Sequence, residues 1–244
     1  KAARIATAAG DRPCLDFGSR RAHGLDAAVK VARASYLAGL AGTSNVEAGR
    51  RYGIPVFGTM AHSYIQAHDD EAAALEAFAR RYPDTTLLVD TYDTLAGVDA
   101  VIAMAERLGD AFDVGAVRLD SGDLVDLARA TRRRLDAAGL GHVKIFASSG
   151  LDEYAIADLL DAGAPIDGFG PGTKLAVSAD VTDLDMAYKL VAYGGEPRMK
   201  LSSDKQIHPG RKQVFRRHDA AGRMAGDTLA GFDELLDGRP LLQP

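Results

Sequence analysis

Short apolar runs alternate along the chain with longer segments in which apolar residues recur every three or four positions. The longer segments, such as 97–108 and 124–138, have the spacing of amphipathic helices. Most of the short runs are apolar throughout, which is typical of parallel strands covered on both faces. The predicted strands span residues 14–17, 40–42, 54–57, 86–90, 115–119, 143–147, 166–170 and 186–192.

This alternation predicts an α/β fold. About eight β-then-α units in a chain of 244 residues favour a (β/α) barrel that is incomplete or irregular in its TIM-like closure. An open doubly wound sheet is the alternative, because periodicity does not distinguish a closed sheet from an open one. The predicted domains are a barrel catalytic domain over residues 1–195 and a carboxyl-terminal appendage over residues 196–244.

The appendage is predicted to contain a basic loop and a β-hairpin-like pair of strands. The loop covers residues 200–217, where lysine and arginine outnumber acidic residues. Residues 213–216 have the composition of a strand, and 219–222 have that of a turn leading to a partner strand.

Composition narrows the classes of function. The net charge of -5 argues against a general nucleic-acid binder. No apolar run approaches the roughly 20 residues of a membrane helix, so we expect no membrane partner. A single cysteine, Cys14, excludes an internal disulfide and a thiolate metal cluster, which favours a reducing cytoplasm. The chain opens at Lys1 without a methionine, and we expect it to be part of a longer protein.

Polar, charged and glycine residues follow nearly every predicted strand, where a βα barrel carries its chemistry. Each has a simpler interpretation, since serine, threonine and aspartate cap helices and glycine permits tight turns. As a set they offer arginines for phosphates, carboxylates for Mg²⁺ or a sugar, and an aromatic ring for stacking. The glycines suit a phosphate at a helix start. The candidates are Phe17, Arg20, Ser44, His62, Asp90, Arg118, Asp120, Ser148, Ser149, Gly170, Gly172 and Thr173. This chemistry fits transfer at a phosphorylated sugar to a heterocycle.

Five ordered motifs then carry a family resemblance. They are DFGSRRAHG at 16–24, GTSNV at 42–46, GTMAHS at 58–63, VRLDSGD at 117–123 and PGRKQV at 209–214. The chain closely resembles nicotinate phosphoribosyltransferases, of the type II phosphoribosyltransferases, from about residue 1 to residue 217.

The resemblance implies a reaction and its partners. Nicotinate and phosphoribosyl diphosphate would give nicotinate mononucleotide and diphosphate in NAD salvage, with ATP as co-substrate and Mg²⁺ as cofactor. It also implies a homodimer with active sites at the interface. The family carries an amino-terminal α/β domain that is absent from this chain, so we expect the chain alone to be an inactive fragment.

The resemblance also assigns roles to residues. His62 would be phosphorylated by ATP. Phe17 and Arg20 would hold the pyridine ring, and Arg118 and Asp120 the ribose and phosphates. The metal and diphosphate would lie near Asp90, with Asp120 as a second Mg²⁺ ligand, while Ser148, Ser149, Gly170, Gly172 and Thr173 would surround the 5′-phosphate.

Two alternatives stay open at this point. A nicotinamide phosphoribosyltransferase would share the fold, but such relatives carry aspartate where this chain has Ser44. An aspartate accepts from an amide and repels the carboxylate of nicotinate, so Ser44 favours nicotinate. A cap on the next helix is the simpler interpretation of Ser44. The second alternative is a degenerate barrel without catalysis, which the intact set of Arg20, His62, Arg118 and Asp120 argues against.

Overall fold

The computed structural model describes residues 1–180, 182–184, 186–201 and 207–242. These residues pack as two compact units. The first contains residues 1–188 together with Lys200 and Leu201, and the second contains residues 189–199 and 207–242. No helix among the described residues is long and apolar enough to cross a membrane.

The first unit is built on parallel strands. They are β1 (Leu15–Asp16), β2 (Gly42–Thr43), β3 (Thr85–Leu88), β4 (Val114–Leu119), β5 (Lys144–Ser148) and β6 (Gly168–Gly170). β3, β4, β5 and β6 form one sheet in that order, and β1 pairs with β2. Single parallel bridges join Cys14 to Phe169 and Thr43 to Val56. The predicted α/β class with parallel strands is confirmed.

The helices of this unit follow the strands. They are α1 (Ala2–Ala9), α2 (Leu25–Leu37), α3 (Val46–Tyr52), α4 (His62–Gln66), α5 (Glu71–Arg81), α6 (Thr94–Leu108), α7 (Leu124–Ala137), α8 (Glu153–Asp161) and α9 (Thr173–Ala176). The side chains of Asp70, Asp93, Asp123 and Asp152 each cap a helix by accepting from backbone N–H groups of its first turn. These caps satisfy donors that a helix start otherwise leaves unpaired.

The strands of the main sheet contribute side chains to the core and to a cavity. Leu87, Val117 and Ile145 are fully buried in a core that also contains helix residues such as Val101 and Leu135. Other residues of the same strands, Thr86, Ala116 and Phe146, line an open cavity of about 550 Å³ together with Leu15 and Phe57. Apolar side chains therefore occur on both faces of these strands instead of alternating with polar ones.

The second unit is antiparallel. β7 (Ala192–Tyr193) pairs with β8 (Glu196–Pro197), and β9 (Lys212–His218) lies between β10 (Met224–Gly231) and β11 (Arg239–Pro240). The predicted strand at 213–216 and the turn after it are confirmed, and a hydrogen bond from Gly222 N–H to the carbonyl of Asp219 closes the turn. Residues 202–206 of the predicted basic loop lie outside the described residues.

The predicted strand over 186–192 is wrong. Described residues 186–191 form no strand, and Ala192 enters the short antiparallel β7. Met186 and Tyr188 are exposed, so the run has apolar composition without a surface to cover it. The compact units divide the chain after residue 188, whereas the sequence pattern predicts the boundary after residue 195, which falls between the paired strands β7 and β8.

A substitution at Gly97 tests how closely α6 packs against Val89, the residue between β3 and Asp90. A Cβ atom on Gly97 would lie 2.3 Å from the carbonyl oxygen of Val89. Alanine normally stabilises a helix interior by about 1 kcal/mol over glycine. Here we expect Gly97→Ala to lower the free energy of unfolding by about 2 kcal/mol, because overpacking outweighs that gain. Urea unfolding measures this change.

Gly141→Ala is the matched control. Its added Cβ would meet nothing closer than 3.6 Å, and its backbone is outside the left-handed region. We expect its free energy of unfolding to stay within about 0.5 kcal/mol of the wild type. Equal stability of both variants would show that α6 can shift without cost.

Candidate active site

The register of the main sheet aligns several polar side chains in one row. Leu88 of β3 pairs with Arg118 of β4, so Asp90 and Asp120, two residues further along, lie at the same level. Ser148 pairs with Gly170 one strand further on. Parallel strands end at the same edge of a sheet, and this row therefore marks the edge where the site residues gather.

Asp90 is the fully buried carboxylate of this row, with no exposed surface. Its Oδ2 accepts from the Ser121 hydroxyl and from the backbone N–H of Asp120, the latter at 3.2 Å. Its Oδ1 is buried and has no hydrogen-bond partner within the described part of the chain. An unpaired carboxylate oxygen in the interior is costly, which indicates that a ligand or cation is expected beside it.

His62 begins α4 and faces both carboxylates. Its Nε2 lies 3.8 Å from Asp90 Oδ1 and 3.6 Å from Asp120 Oδ2. The same nitrogen is 2.6 Å from the ammonium of Lys200, and Nδ1 is 3.1 Å from the Thr91 hydroxyl. Burial lowers the pKa of His62 below its usual value, although the two carboxylates oppose that shift and Lys200 adds to it. The imidazole is therefore neutral near pH 7.

Arg118 lies on β4 and Asp120 directly follows its end, so the two carry opposite charges two residues apart. Arg118 donates to the Thr59 hydroxyl at 2.5 Å, and its Nε is buried without a partner among the described residues. Burial lowers the pKa of Arg118, while Asp120 and Asp90 raise it. Asp120 Oδ1 accepts from the Ser148 hydroxyl at 2.6 Å. The Ser148 hydroxyl proton is thus directed to Asp120 in this structure.

An aromatic wall closes one side of the site. The ring of Phe17 packs on that of Phe146 at a centroid distance of 6.1 Å, and the Arg118 guanidinium lies 5.8 Å from the centre of the Phe17 ring. A Cβ on Gly170 would lie 2.7 Å from the Phe17 ring, so glycine at 170 makes room for that ring. Gly172 precedes α9, which begins at Thr173.

Ser44 and Arg20 lie near the end of β1. The Ser44 hydroxyl donates to the carbonyl of Asp16 at 3.0 Å. The cap of α3 is Asn45, whose side chain accepts from the backbone N–H of Ala48, so Ser44 is not the helix cap. Arg20 is exposed in a short 3₁₀ turn, Ser19–Arg21. Ser149 has a positive φ of 86°, in the left-handed region.

Sequence reasoning missed several side chains of the site. The Thr59 hydroxyl contacts Arg118, and the Thr91 hydroxyl contacts His62. Thr91 directly follows the candidate Asp90 in the sequence, and this position could have identified it as a site residue. Asp16 is fully buried and accepts from Thr43 and Gly18, tying β1 to β2. The sequence assigns Lys200 only to a basic loop. It lies 138 residues from His62, so no local pattern reveals their contact.

The donor set fits a divalent cation. His62, Asp90 and Asp120 each offer an atom, and these atoms lie within 4.8 Å of one another. Mg²⁺ prefers carboxylate oxygens and is held by one or two of them in phosphate-handling sites. The unpaired Oδ1 of Asp90 and the neighbouring Oδ2 of Asp120 are the oxygens that would hold it.

Comparisons with known proteins identify the family of the chain. A sequence model of the nicotinate phosphoribosyltransferase (NAPRTase) family matches residues 13–216. The chain belongs to the nicotinate phosphoribosyltransferase family. It is similar to nicotinate phosphoribosyltransferase pncB2 of Mycobacterium tuberculosis, with 67% identity over 244 residues, covering 100% of this chain and 52% of the relative.

Two further relatives support the family membership. Nicotinate phosphoribosyltransferase of Bacillus subtilis is 44% identical over 251 residues, covering 100% of this chain and 51% of the relative. The crystal structure of human nicotinic acid phosphoribosyltransferase has a TM-score of 0.60 and 31% identity, covering 96% of this chain and 57% of that one. The chain spans about half the length of the curated nicotinate phosphoribosyltransferases that it matches.

Glu71, the first residue of α5, gives a pH-dependent prediction. Its Oε1 is buried and unpaired among the described residues. Burial, and then Asp90, Asp70 and Asp93, raise the pKa of Glu71 to about 7. Between its ordinary pKa and about 7 the folded state holds a proton that the unfolded state has lost, so this contribution to stability disappears as the pH rises through 7.

We therefore expect Glu71→Gln to match the wild type in melting temperature near pH 4.5 and to exceed it at pH 8. The exposed Glu106 provides the control, because Glu106→Gln removes a carboxyl outside the site. Thermal melts across this range would contradict the prediction if Glu71→Gln and the wild type showed the same pH dependence.

Proposed function

We propose that the complete protein transfers the phosphoribosyl group of phosphoribosyl diphosphate to nicotinate, giving nicotinate mononucleotide and diphosphate for NAD salvage. Family membership supports this, together with one observation: an imidazole, two carboxylates and a guanidinium meet at one edge of the sheet, beside the ring of Phe17. The proposal concerns the complete protein, because the chain spans about half of its relatives' length.

The pyridine ring of nicotinate would stack on Phe17. The Phe17 ring is held by Phe146 and by the contact with Gly170, so its face is fixed before a ligand arrives. A fixed aromatic face costs little conformational entropy on binding. The carboxylate of nicotinate would face Arg20 and the Ser44 hydroxyl, which would have to turn away from the Asp16 carbonyl.

The phosphoribosyl group would lie between Arg118 and Asp120. Arg118 would donate to phosphate oxygens, which a guanidinium binds strongly, and Asp120 would accept from the ribose hydroxyls. The Ser148 hydroxyl holds the Asp120 carboxylate in place. The 5′-phosphate would lie at the end of the row, near Ser148, Ser149, Gly170, Gly172 and Thr173.

Charge stabilisation would provide most of the catalysis. The sugar carbon becomes electron-poor as the bond to diphosphate breaks, and fixed charges around it lower the barrier. Asp120 would stabilise the positive sugar, and Arg118 would stabilise the leaving diphosphate. Mg²⁺ held by Asp90 and Asp120 would neutralise negative charge on that diphosphate.

ATP would act through His62. A neutral imidazole has a lone pair that can accept a phosphoryl group, and burial keeps His62 neutral. A phosphoryl group on His62 would add negative charge beside the diphosphate region and would change how substrate and product are held.

We further propose an irregular (β/α) barrel and a homodimer. The parallel bridges Cys14–Phe169 and Thr43–Val56 link the two parallel sheets into one series, from Val56 to β3, which supports near closure. A homodimer with sites at the subunit interface is what the family resemblance implies. Analytical ultracentrifugation of the complete protein tests the assembly.

Ser44 tests the choice of substrate. We expect the complete wild-type protein to use nicotinate in strong preference to nicotinamide. We expect Ser44→Asp to lower kcat/KM for nicotinate at least tenfold, because a carboxylate at this position repels the substrate's carboxylate, and tenfold corresponds to about 1.4 kcal/mol. Competition assays with both labelled pyridines measure the preference.

Ser44→Ala is the matched control, because it removes the hydrogen bond to the Asp16 carbonyl without adding charge. We expect a smaller loss than for the aspartate variant. Wild-type turnover of nicotinamide instead of nicotinate would support the alternative substrate. No turnover of either pyridine with phosphoribosyl diphosphate would contradict the proposed function.

A further inference from the structure

Lys200 is buried to 1% exposure. Its ammonium lies 2.6 Å from His62 Nε2. The next residue, Leu201, donates its backbone N–H to the carbonyl of Thr91 at 3.2 Å. The Thr91 hydroxyl in turn contacts His62 Nδ1. Each ring nitrogen of His62 thus has a side-chain contact, Nε2 with Lys200 and Nδ1 with Thr91.

The contact assigns the protons of the imidazole. Lysine is ordinarily an ammonium near pH 7, and an ammonium can only donate, so Nε2 would accept and carry no proton. Nδ1 therefore carries the proton and donates it to the Thr91 hydroxyl. This is the tautomer that leaves the lone pair on Nε2.

The carboxylates favour the opposite tautomer. Asp90 Oδ1 and Asp120 Oδ2 lie 3.8 Å and 3.6 Å from Nε2, and both are acceptors. Without an intervening donor, and with no cation on these oxygens, they would favour a proton on Nε2, where it would occupy the lone pair. In the cation-free site, the ammonium of Lys200 is the group that reverses this preference of the carboxylates.

We propose that Lys200 is a positioning residue that holds His62 in the Nδ1–H tautomer, so that Nε2 is the phosphoryl-accepting atom, and that Lys200 then binds the transferred phosphoryl group. The role of Nε2 as acceptor rests on the proposed function. The tautomer itself rests on the contacts of Lys200 and Thr91.

The step balances without a further reactant. The Nε2 lone pair attacks the terminal phosphorus of ATP, the Nε2–P bond forms, and the P–O bond to ADP breaks with its electron pair leaving on ADP. Nδ1 keeps its proton and its bond to Thr91, so the phosphorylated ring carries one positive charge until that proton is released to solvent. The ammonium of Lys200 moves from Nε2 to the phosphoryl oxygens, where its positive charge offsets repulsion from Asp90 and Asp120.

Nitrogen NMR of the imidazole tests the tautomer. In the complete protein labelled with ¹⁵N-histidine, the His62 signals are those missing from His62→Gln. We expect wild type to show a protonated Nδ1 and an unprotonated Nε2, and Lys200→Met to move the proton to Nε2. Lys30→Met, at an exposed lysine on α2, should leave the spectrum unchanged. An unchanged Nδ1–H tautomer in Lys200→Met would overturn the proposal.

Labelled ATP tests the second half of the role. We expect Lys200→Met to form acid-labile, base-stable phosphohistidine at least tenfold more slowly and to lose it faster, with Lys200→Arg in between. Equal formation and lifetime in Lys200→Met and wild type would also overturn the proposal. If wild type takes no label, the proposed use of ATP fails, and the nitrogen spectra alone decide the tautomer.

Lys200→Gln covers the case in which the methionine variant does not fold. Its amide can donate to Nε2 but carries no charge. We expect it to keep the wild-type tautomer and to lose phosphohistidine faster than wild type. A proton on Nε2 in this folded variant would contradict the donor role.

Discussion

One buried carboxylate organises the candidate site. Asp90 is fully buried, and its Oδ2 is anchored by Ser121 and by the backbone of Asp120, while its Oδ1 has no hydrogen bond among the described residues. A charge in that position lowers stability unless opposite charges lie near it. His62 and Arg118 lie close enough to the carboxylate pair of Asp90 and Asp120 for the pair to raise the pKa of each, and Lys200 contacts His62.

The fold creates this pair through sheet register. Leu88 and Arg118 are paired residues of adjacent parallel strands, so two positions later the chain brings two aspartates side by side. Like charges placed together repel, and Glu71 extends the same acidic region, which is part of the reason its pKa rises to about 7. In the proposed function such a region would hold a cation, which would allow a diphosphate to lie next to carboxylates. The repulsion within this acidic region lowers the stability of the fold at the place where the proposed substrate would bring its charge.

The sequence predicts those parts of the molecule that depend on local pattern. The strands near 115–119 and 143–147 follow from apolar runs, and Asp93 and Asp123 fall where helices need caps. The sequence predicts that Asp90, Asp120 and Ser148 lie together, because parallel strands end at one edge. By contrast, the run at 186–192 has strand composition without a partner, and the pairing of Lys200 with His62 joins segments 138 residues apart. Serine is a common helix cap, so Ser44 is a candidate for capping α3, yet its neighbour Asn45 caps that helix. Long-range packing decides these features.

Asp90→Asn in the complete protein is the most direct test of the central role of this carboxylate. Asparagine keeps the oxygen that accepts from Ser121 and Asp120 and replaces the unpaired oxygen with a neutral amide. If the Asp90 charge lowers stability and serves substrate binding, the variant should melt at or above the wild-type temperature. Its kcat/KM for phosphoribosyl diphosphate should fall at least a hundredfold, which corresponds to about 2.7 kcal/mol. A variant that melts well below wild type yet keeps its kcat/KM would show that Asp90 is a structural residue.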